Sequence, residues 1–303
     1  MSATAQVDRP RPDSGTRGNA NVGRLVVEGQ DRPGIVSAVS AVLTGQGANI
    51  LSLDQYSSGA SAGFFFQRTV FDLPDFAARR PALESALAAQ IGDELGLAFR
   101  VHQVCKPKRV AIFASRADHC VLDLLWRHRR GELDIDVVCV ISNHPDLADD
   151  VRQFSVPYLH VPVGSDKRSA EQEHLKLLRG NVDLVVLARY MQILSEEFLD
   201  EVGVPVINIH HSFLPAFIGA APYKKAKERG VKLVGATAHY VTKDLDEGPI
   251  IEQDVVRVTH AETAAELAQH GADVERLVLA RAVKWHCEDR VIRHGNQTVV
   301  FSR

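Results

Sequence analysis

Three side chains in the second half of the sequence have the types and spacing that chemistry on a carbonyl group needs. Asn208 and His210 are two residues apart at the end of the apolar run 204–207, so in an extended strand both side chains leave the same face. An amide can donate a hydrogen bond to an oxygen as it becomes an oxyanion, and an imidazole can move a proton. Asp246 adds a carboxylate that could orient the imidazole or activate water. Together the three residues indicate acyl transfer.

The same three residues also have an ordinary structural interpretation. Asn208 would cap a loop, His210 would be a partly buried histidine with satisfied ring nitrogens, and Asp246 would sit in a Leu-Asp-Glu-Gly turn. Short motifs arise often by chance. The triplet alone therefore leaves both interpretations open.

The segments around the triplet resemble the folate-dependent formyltransferase family. Residues 208–215 (NIHHSFLP), 235–241 (GATAHYV) and 248–251 (GPII) carry the resemblance, which extends over residues 109–301. The stretch 187–195 (LARYMQILS) is similar to the folate-binding stretch of that family. A likeness of this length favours the catalytic interpretation of the triplet.

The resemblance implies a reaction and a set of site residues. Within the family the chain looks most like the members that hydrolyse 10-formyltetrahydrofolate to formate and tetrahydrofolate. Asn208 would then stabilise the oxyanion, His210 would be the acid/base, and Asp246 would orient His210 and activate water. The folate is the substrate, and no separate cofactor is expected. The resemblance implies seven substrate-binding residues: Met191, Gln192, Ile193, Leu194, Val241, Leu245 and Gly248.

The acceptor of the formyl group is where members of the family differ. Transferases acting on a phosphorylated ribonucleotide carry a glycine-rich turn after the first strand, whose backbone donors hold the phosphate. Here residues 115–120 (SRADHC) contain no glycine, and Asp118 would repel a phosphate, although Arg116 could still bind an anion. No basic module for transfer RNA follows the expected catalytic domain within these 303 residues. Water remains as the expected acceptor. The alternatives are transfer to a small amine, and a folate-binding or amino-acid-sensing protein without turnover.

Composition limits the other classes of function. A length of 303 residues predicts two domains, and a net charge of −3 gives no reason to expect a nucleic-acid partner. No apolar stretch approaches the ~20 residues of a membrane span. The four cysteines have no C-x-x-C spacing, which predicts reduced thiols in a cytoplasmic protein; they are Cys105, Cys120, Cys139 and Cys287.

The pattern of the first third predicts a small regulatory domain. Residues 1–22 are polar and are expected to be a disordered tail. Residues 23–105 alternate in the order βαββαβ, which is ferredoxin-like. With Asp-Arg-Pro-Gly-Ile at 31–35, this segment resembles ACT regulatory domains. The resemblance implies a small-molecule effector, with an amino acid as one candidate whose identity stays unknown.

Residues 106–303 predict a Rossmann-like α/β catalytic domain with a mostly parallel sheet. The active site should then lie at the carboxyl ends of the strands, where Asn208 and His210 fall. Short apolar runs predict strands at 110–114, 135–141, 157–161, 184–187 and 204–207. Helices are expected at 121–130, 169–179 and 261–288, followed by two short strands at 291–292 and 298–300.

Several other features are not expected to do chemistry. The G-x-S-x-G motif at 59–63 lies between two predicted strands, whereas a hydrolase nucleophile sits at a strand-to-helix turn. The thirteen histidines contain no H-x-x-x-H pair, so no metal is expected. His211 is expected either to be structural or to support a residue that contacts the substrate, and His239 could either orient the Asp246 loop or be a satisfied strand histidine. An exposed sheet edge in the first domain would favour pairing of copies, so we expect a homo-oligomer.

Overall fold

The protein is described by a computed structural model covering residues 20–59, 63–164, 166–215 and 222–302. The chain divides between Lys106 and Pro107 into two compact units. Residues 1–19 of the predicted tail at 1–22 lie outside the described residues. The middle of the G-x-S-x-G loop, residues 60–62, also lies outside them. Among the described residues, no helix combines the length and the apolar character of a membrane span.

The first unit is an antiparallel four-stranded sheet with helices between its strands, in the order β2-β3-β1-β4. This order confirms the predicted ferredoxin-like fold. Its elements are β1 Val22–Gln30, α1 Ile35–Gly45, β2 Asn49–Ser57, β3 Phe64–Asp72, α2 Phe76–Leu87 continued by a π-helical turn Ala88–Asp93, and β4 Ala98–Gln103.

Helix α1 packs through the face that its sequence spacing predicts. Ile35, Val39 and Leu43 recur every four residues and are buried, as is Val42. These side chains join the sheet residues Leu25, Val27, Phe65 and Phe71 in one apolar core. The periodic apolar face, rather than intrinsic helix propensity, therefore fixes the helix against the sheet.

Strand β2 is an outer strand of the first sheet, and its side chains leave apolar surface exposed. Leu51, Leu53 and Tyr56 are 53%, 37% and 48% exposed. An outer strand with unpaired backbone groups and apolar side chains is a template for pairing with another chain. The expected homo-oligomer remains a prediction.

The second unit is a seven-stranded sheet in the order β11-β10-β9-β8-β5-β6-β7, parallel from β9 to β7 and antiparallel at β10 and β11. This confirms the predicted mostly parallel α/β domain. Its first elements are β5 Lys108–Ala114, α3 His119–Arg129, β6 Ile135–Ser142, α4 Ala148–Arg152, β7 Tyr158–His160, α5 Lys167–Leu178 and β8 Leu184–Ala188. The remaining elements are α6 Glu196–Val202, β9 Val206–His210, α7 Pro222–Arg229, β10 Leu233–Tyr240, β11 Ile250–Arg257, α8 Ala264–Cys287, β12 Val291–His294 and β13 Gln297–Val300.

The strand that carries Asn208 and His210 differs from its predicted bounds. The sequence predicts a strand at 204–207 with both residues just beyond it, whereas β9 continues through His210. The cause is β10, whose Thr237 and His239 pair with His210 and Asn208. The apolar run ends at residue 207, but the ladder hydrogen bonds extend the strand by three residues.

The long carboxyl-terminal helix begins later than predicted because it has a specific cap. Thr263 accepts a hydrogen bond from the Glu266 backbone, and the Glu266 side chain accepts from the Thr263 backbone. This capping box satisfies two backbone donors and starts α8 at Ala264 rather than Ala261. The helix buries Val278, Val283 and their neighbours against the sheet.

A buried histidine interrupts the apolar packing on one face of this sheet. His174 of α5 is 1% exposed and lies among the rings of Phe113, Tyr190 and Phe198. Neither of its ring nitrogens has a hydrogen-bond partner among the described residues. Burial lowers the pKa of His174 to about 4, because the apolar surroundings disfavour the imidazolium.

We therefore expect His174 to make stability depend on pH between about 4 and the unfolded value near 6.5. In that window the unfolded chain binds more protons, so stability is complete above pH 6.5 and is lost as the pH falls. In the His174→Leu variant, the pH-dependent loss in the free energy of unfolding should be smaller by about 2 to 3 kcal/mol. Urea unfolding followed by fluorescence reports on this unit, because both tryptophans, Trp126 and Trp285, belong to it. An unchanged pH slope in the variant would contradict the assignment.

Candidate active site

A cavity of about 590 Å³ lies at the carboxyl edge of the sheet, where β8 and β9 end. Three segments form most of its wall: residues 189–194 after β8, residues 208–211 at the end of β9, and residues 241–246 after β10. Leu187, Tyr223 and His239 complete it. The position agrees with the rule that ligands bind outside the carboxyl ends of parallel strands.

The pairing of β9 with β10 fixes the positions of the Asn208 and His210 side chains. Asn208 and His210 alternate with the buried Ile209, so both leave the same face of β9. Asn208 lies directly across from His239 in the antiparallel ladder. His210 lies across from Thr237, whose hydroxyl donates to the Ser212 carbonyl at 2.9 Å. These contacts fix the end of β9.

Asp246 reaches both histidines from the loop between β10 and β11. Its carboxylate Oδ1 lies 3.2 Å from Nδ1 of His210 and 3.7 Å from Nε2 of His239. Its backbone has φ 58°, a left-handed conformation that aspartate and asparagine tolerate better than most residues. Hydrogen bonding to His210, then to His239, holds the pKa of Asp246 far below its usual range, although burial opposes this. Asp246 is therefore an anion under all ordinary conditions.

The ionised carboxylate determines the tautomer of His210. A carboxylate can only accept, so the Nδ1 of His210 that faces Asp246 carries the proton. The other ring nitrogen, Nε2, is buried and makes no hydrogen bond to the described residues. Nε2 is thus the nitrogen left to exchange a proton with a ligand in the cavity.

His239 holds Asn208 in a defined orientation. Its Nδ1 lies 2.9 Å from the carbonyl of Tyr240, which can only accept, so this nitrogen carries a proton. Nε2 lies 3.3 Å from the Asn208 amide nitrogen and 3.7 Å from the Asp246 carboxylate, so in the neutral ring it accepts from the amide and in the protonated ring it donates to the carboxylate. The amide keeps one N–H and its oxygen for a ligand. Both sequence-based interpretations of His239 stay open, because its two ring nitrogens have partners on the strands and Nε2 also lies 3.7 Å from the Asp246 carboxylate.

The outer part of the cavity is apolar and solvent-accessible. Met191, Ile193 and Leu245 are 60%, 60% and 59% exposed, which is unusual for side chains of this size. A hydroxyl of Ser115 accepts from the Met191 backbone at 3.0 Å and so anchors this segment. The exposed surface would be covered by a flat apolar ligand. Six of the seven predicted substrate-binding residues line the cavity: Met191, Gln192, Ile193, Leu194, Val241 and Leu245.

The seventh predicted residue, Gly248, is not part of the cavity wall. It lies against the end of β10, where an added Cβ would come 1.8 Å from the carbonyl oxygen of Tyr240. The neighbouring Pro249 carbonyl accepts a hydrogen bond from the Tyr240 backbone at 2.9 Å. Gly248 therefore supports the Asp246 loop through close backbone contact, and its substrate-binding role stays a prediction.

The inner end of the cavity contains polar residues that sequence reasoning missed. Arg189, His211 and Tyr223 line it, and Glu275 of α8 lies behind them. Burial lowers the pKa of His211 to about 4, with the Arg189 charge as a further cause, so the ring is neutral at pH 7. Arg189 lies in the stretch 187–195 that resembles the folate-binding segment but was given no role, and nothing in the sequence indicated Tyr223 or Glu275, which come from other elements.

One group of side chains in the described part of the chain has atoms close enough to hold a metal ion. The ligand atoms of His119, Cys120 and Glu275 lie within 4.8 Å of one another. Glu275 already accepts hydrogen bonds from His119 at 2.8 Å and from Tyr223 at 2.9 Å, and the Arg189 cation lies beside it. Burial raises the pKa of the Cys120 thiol well above its usual value. This environment favours hydrogen bonding over metal binding.

Comparison with known families identifies the class of protein that this fold and site define. The ACT domain family matches residues 23–88, and the Formyl transferase family matches residues 108–283. The chain is 62% identical over 283 residues to the formyltetrahydrofolate deformylase of Mycobacterium tuberculosis, with 93% of this chain and 91% of the relative covered. It is 48% identical over 294 residues to that of Bacillus subtilis, covering 96% and 98%.

A solved structure shares the complete architecture. The crystal structure of a formyltetrahydrofolate deformylase from Pseudomonas syringae matches with a TM-score of 0.87 and 47% identity, covering 92% of this chain and 94% of that one. Both units are therefore included in the likeness. The chain belongs to the formyltetrahydrofolate deformylase family.

Gly248→Ala tests whether the loop depends on this close backbone contact. The new methyl group would collide with the Tyr240 carbonyl, so the loop must move and carry Asp246 away from His210. We expect at least a tenfold loss of turnover, since displacements near 1 Å can cost about 100-fold. Gly45→Ala is the control, because an added Cβ there meets nothing within 4 Å and, as at Gly248, the backbone φ is not positive. Equal turnover in the two variants would contradict the role of Gly248.

Proposed function

We propose that the chain hydrolyses 10-formyltetrahydrofolate to formate and tetrahydrofolate at this cavity. The observation that carries the proposal is the set of contacts among Asn208, His210, His239 and Asp246 at the end of a cavity with an apolar mouth. The named relatives supply the reaction. The roles of individual residues below are proposals argued from the geometry.

The folate would enter with its pterin ring against the exposed apolar surface. Met191, Ile193 and Leu245 would lose contact with water, which favours binding in proportion to the apolar area covered. The run 191–194 also offers backbone N–H and carbonyl groups to the ring edge. This placement brings the N10-formyl group to Asn208 and His210.

Attack by water on the formyl carbon creates an oxyanion. The Asn208 amide would donate its remaining N–H to that oxygen, and a protonated His210 would donate from Nε2. Both donors are already oriented, Asn208 by His239 and His210 by Asp246. Loss of one such donor typically costs about 10² to 10³ in turnover.

Protons then pass through the same pair of residues. The neutral His210 Nε2 can take the proton of the attacking water, and the resulting imidazolium is stabilised by Asp246 at 3.2 Å from Nδ1. The imidazolium can return that proton to N10 as the carbon–nitrogen bond breaks. Because the pKa of Asp246 is held so low, we assign it to orienting and charge stabilisation, with water activation acting through His210. This narrows the sequence-based expectation, in which Asp246 orients His210 and activates water and the residue that takes the water proton is left open.

Asp246→Asn is the first test of these roles. Asparagine tolerates the left-handed backbone at this position, so the loop should keep its conformation while the charge is lost. We expect formate release to fall by at least 10³-fold with little change in folate affinity, by analogy with losing the carboxylate partner of a catalytic histidine. Formate and bound folate are both measured.

Glu247→Gln is the matched control for that experiment. It removes a carboxylate from the same loop at an exposed residue outside the cavity wall, and it should retain full turnover. If Asp246→Asn released formate at the wild-type rate, Asp246 would not be part of the catalytic site.

The acceptor is tested with purified protein in buffer made with ¹⁸O-labelled water. Hydrolysis predicts formate with one labelled oxygen and no requirement for any amine. If formyl is consumed only after a small amine is added, and appears on that amine, the chain is a transferase. If folate binds without turnover under both conditions, the protein is a folate-binding protein and the proposed reaction is wrong.

We further propose that the ACT domain regulates this activity. Its family commonly senses small molecules, and an amino acid is the candidate effector. Cytoplasmic location and homo-oligomer formation stay as predictions from the sequence. Turnover measured with and without each amino acid would test the regulatory role.

A further inference from the structure

Arg189 has features that the proposed roles of Asn208, His210 and Asp246 do not explain. It lines the cavity immediately after β8 and has φ 63°, a left-handed backbone that a long side chain rarely adopts. Its side chain is 18% exposed. The guanidinium makes no hydrogen bond to the described residues, and Nε and Nη1 are buried. A buried cation with unused donors in a cavity wall is expected to have a ligand.

The ion pair with Glu275 does not use those donors. Arg189 Nε lies 3.5 Å from the Glu275 carboxylate, which is within ion-pair range but without hydrogen-bond geometry. The carboxylate instead accepts from His119 at 2.8 Å and from Tyr223 at 2.9 Å. Glu275 thus stabilises the Arg189 cation electrostatically. The N–H donors of the guanidinium stay available for a ligand.

The neighbours of Arg189 favour a small anion as that ligand. His211 is neutral at pH 7 and stacks near His210, with ring centroids 5.1 Å apart, so the inner end of the cavity adjoins the catalytic histidine. The pterin is assigned to the apolar mouth, which leaves this inner end for the one-carbon product. Hydrolysis places the formyl carbon and both product oxygens beside His210, and the product ionises to formate.

We propose that Arg189 forms a binding site for a small carboxylate, and that its ligand in the reaction is the product formate. A guanidinium binds a carboxylate through two parallel hydrogen bonds, which suits a planar anion of this size. The site would hold the leaving formate away from the Asp246 anion. This inference rests on the proposed hydrolysis for the identity of the ligand, but not for the site itself.

The test measures formate binding in two ways. ¹³C-formate is titrated onto folate-free protein and followed by NMR line width, and formate is then added to the hydrolysis assay as a product inhibitor. Arg189→Met keeps an unbranched apolar stem and removes the charge and the guanidinium donors. We expect both the dissociation constant and the inhibition constant of formate to rise by about 10- to 100-fold, the usual effect of losing a charge-assisted hydrogen bond. The KM for the folate should change less than about threefold, because the pterin is assigned to the apolar surface of Met191, Ile193 and Leu245 and only the product is assigned to Arg189.

Two further variants test whether the effect of Arg189→Met on formate binding is direct. Arg189→Lys retains the charge without the paired donors, and it should weaken formate binding less than Arg189→Met does. Arg168→Met removes an exposed arginine of α5 outside the cavity and should bind formate as the wild type does. Acetate in place of formate reports whether the site accepts a larger carboxylate.

The outcomes separate this inference from the proposed function. If the wild type binds formate through Arg189 but hydrolyses no formyl folate, the reaction is wrong and the carboxylate site stands. If the wild type hydrolyses the folate while Arg189→Met and Arg189→Lys bind formate within about twofold of the wild type, the site is overturned. Should Arg189→Met fail to fold because Glu275 loses its cation, the double variant Arg189→Met, Glu275→Gln removes both charges, and the same two outcomes decide.

Discussion

The contact of the half-buried Asp246 carboxylate with two histidines from adjacent strands is the interaction on which the rest of the site depends. A carboxylate held in this environment must be ionised and paired, and it then dictates which nitrogen of His210 carries a proton. His239 lies within 3.7 Å of the same oxygen and orients Asn208. The anion therefore sets the protonated nitrogen of His210 directly, and it also contacts the histidine that orients Asn208.

The sheet supplies the precision that this arrangement needs. Antiparallel pairing of β9 and β10 puts Asn208 opposite His239, so a shift of one residue would turn both side chains to the other face. The Asp246 loop returns to this pair because Gly248 allows it to approach the end of β10. Residues on strands are positioned by ladder hydrogen bonds and by packing of the core, which makes them more rigid than residues on a free loop.

The cavity has two chemically distinct ends, and the reaction assigns a different ligand to each. The mouth exposes large apolar side chains that a flat ring would cover, whereas the inner end presents Arg189, His211 and Tyr223. In the proposed reaction the formyl carbon lies between them at His210, and the folate and the formate are held at different ends.

The sequence predicts the features of this protein that depend on local interactions, and it misses those that depend on contacts between distant segments. Local periodicity was enough for the βαββαβ unit, the parallel strands and the shared face of Asn208 and His210. The predicted end of β9 was wrong because pairing with β10 extends the strand. The role of Gly248 depends on a contact with Tyr240 that no local pattern encodes.

The inner end of the cavity was missed for the same reason. Arg189, Tyr223 and Glu275 lie on different elements and meet only in the folded chain. Their types and spacing along the sequence are unremarkable. The left-handed backbone of Arg189 likewise could not be predicted from the sequence, because glycine is the residue that usually occupies such a position.

The most direct test of the central role of Asp246 is the tautomer of His210, measured by long-range ¹H–¹⁵N NMR of the histidine rings. The account predicts that His210 carries its proton on Nδ1 in the wild type and that Asp246→Asn changes the His210 and His239 signals. The exposed His260 should keep its signal in the variant. A wild-type His210 protonated on Nε2, with ring signals unchanged by Asp246→Asn, would contradict the account.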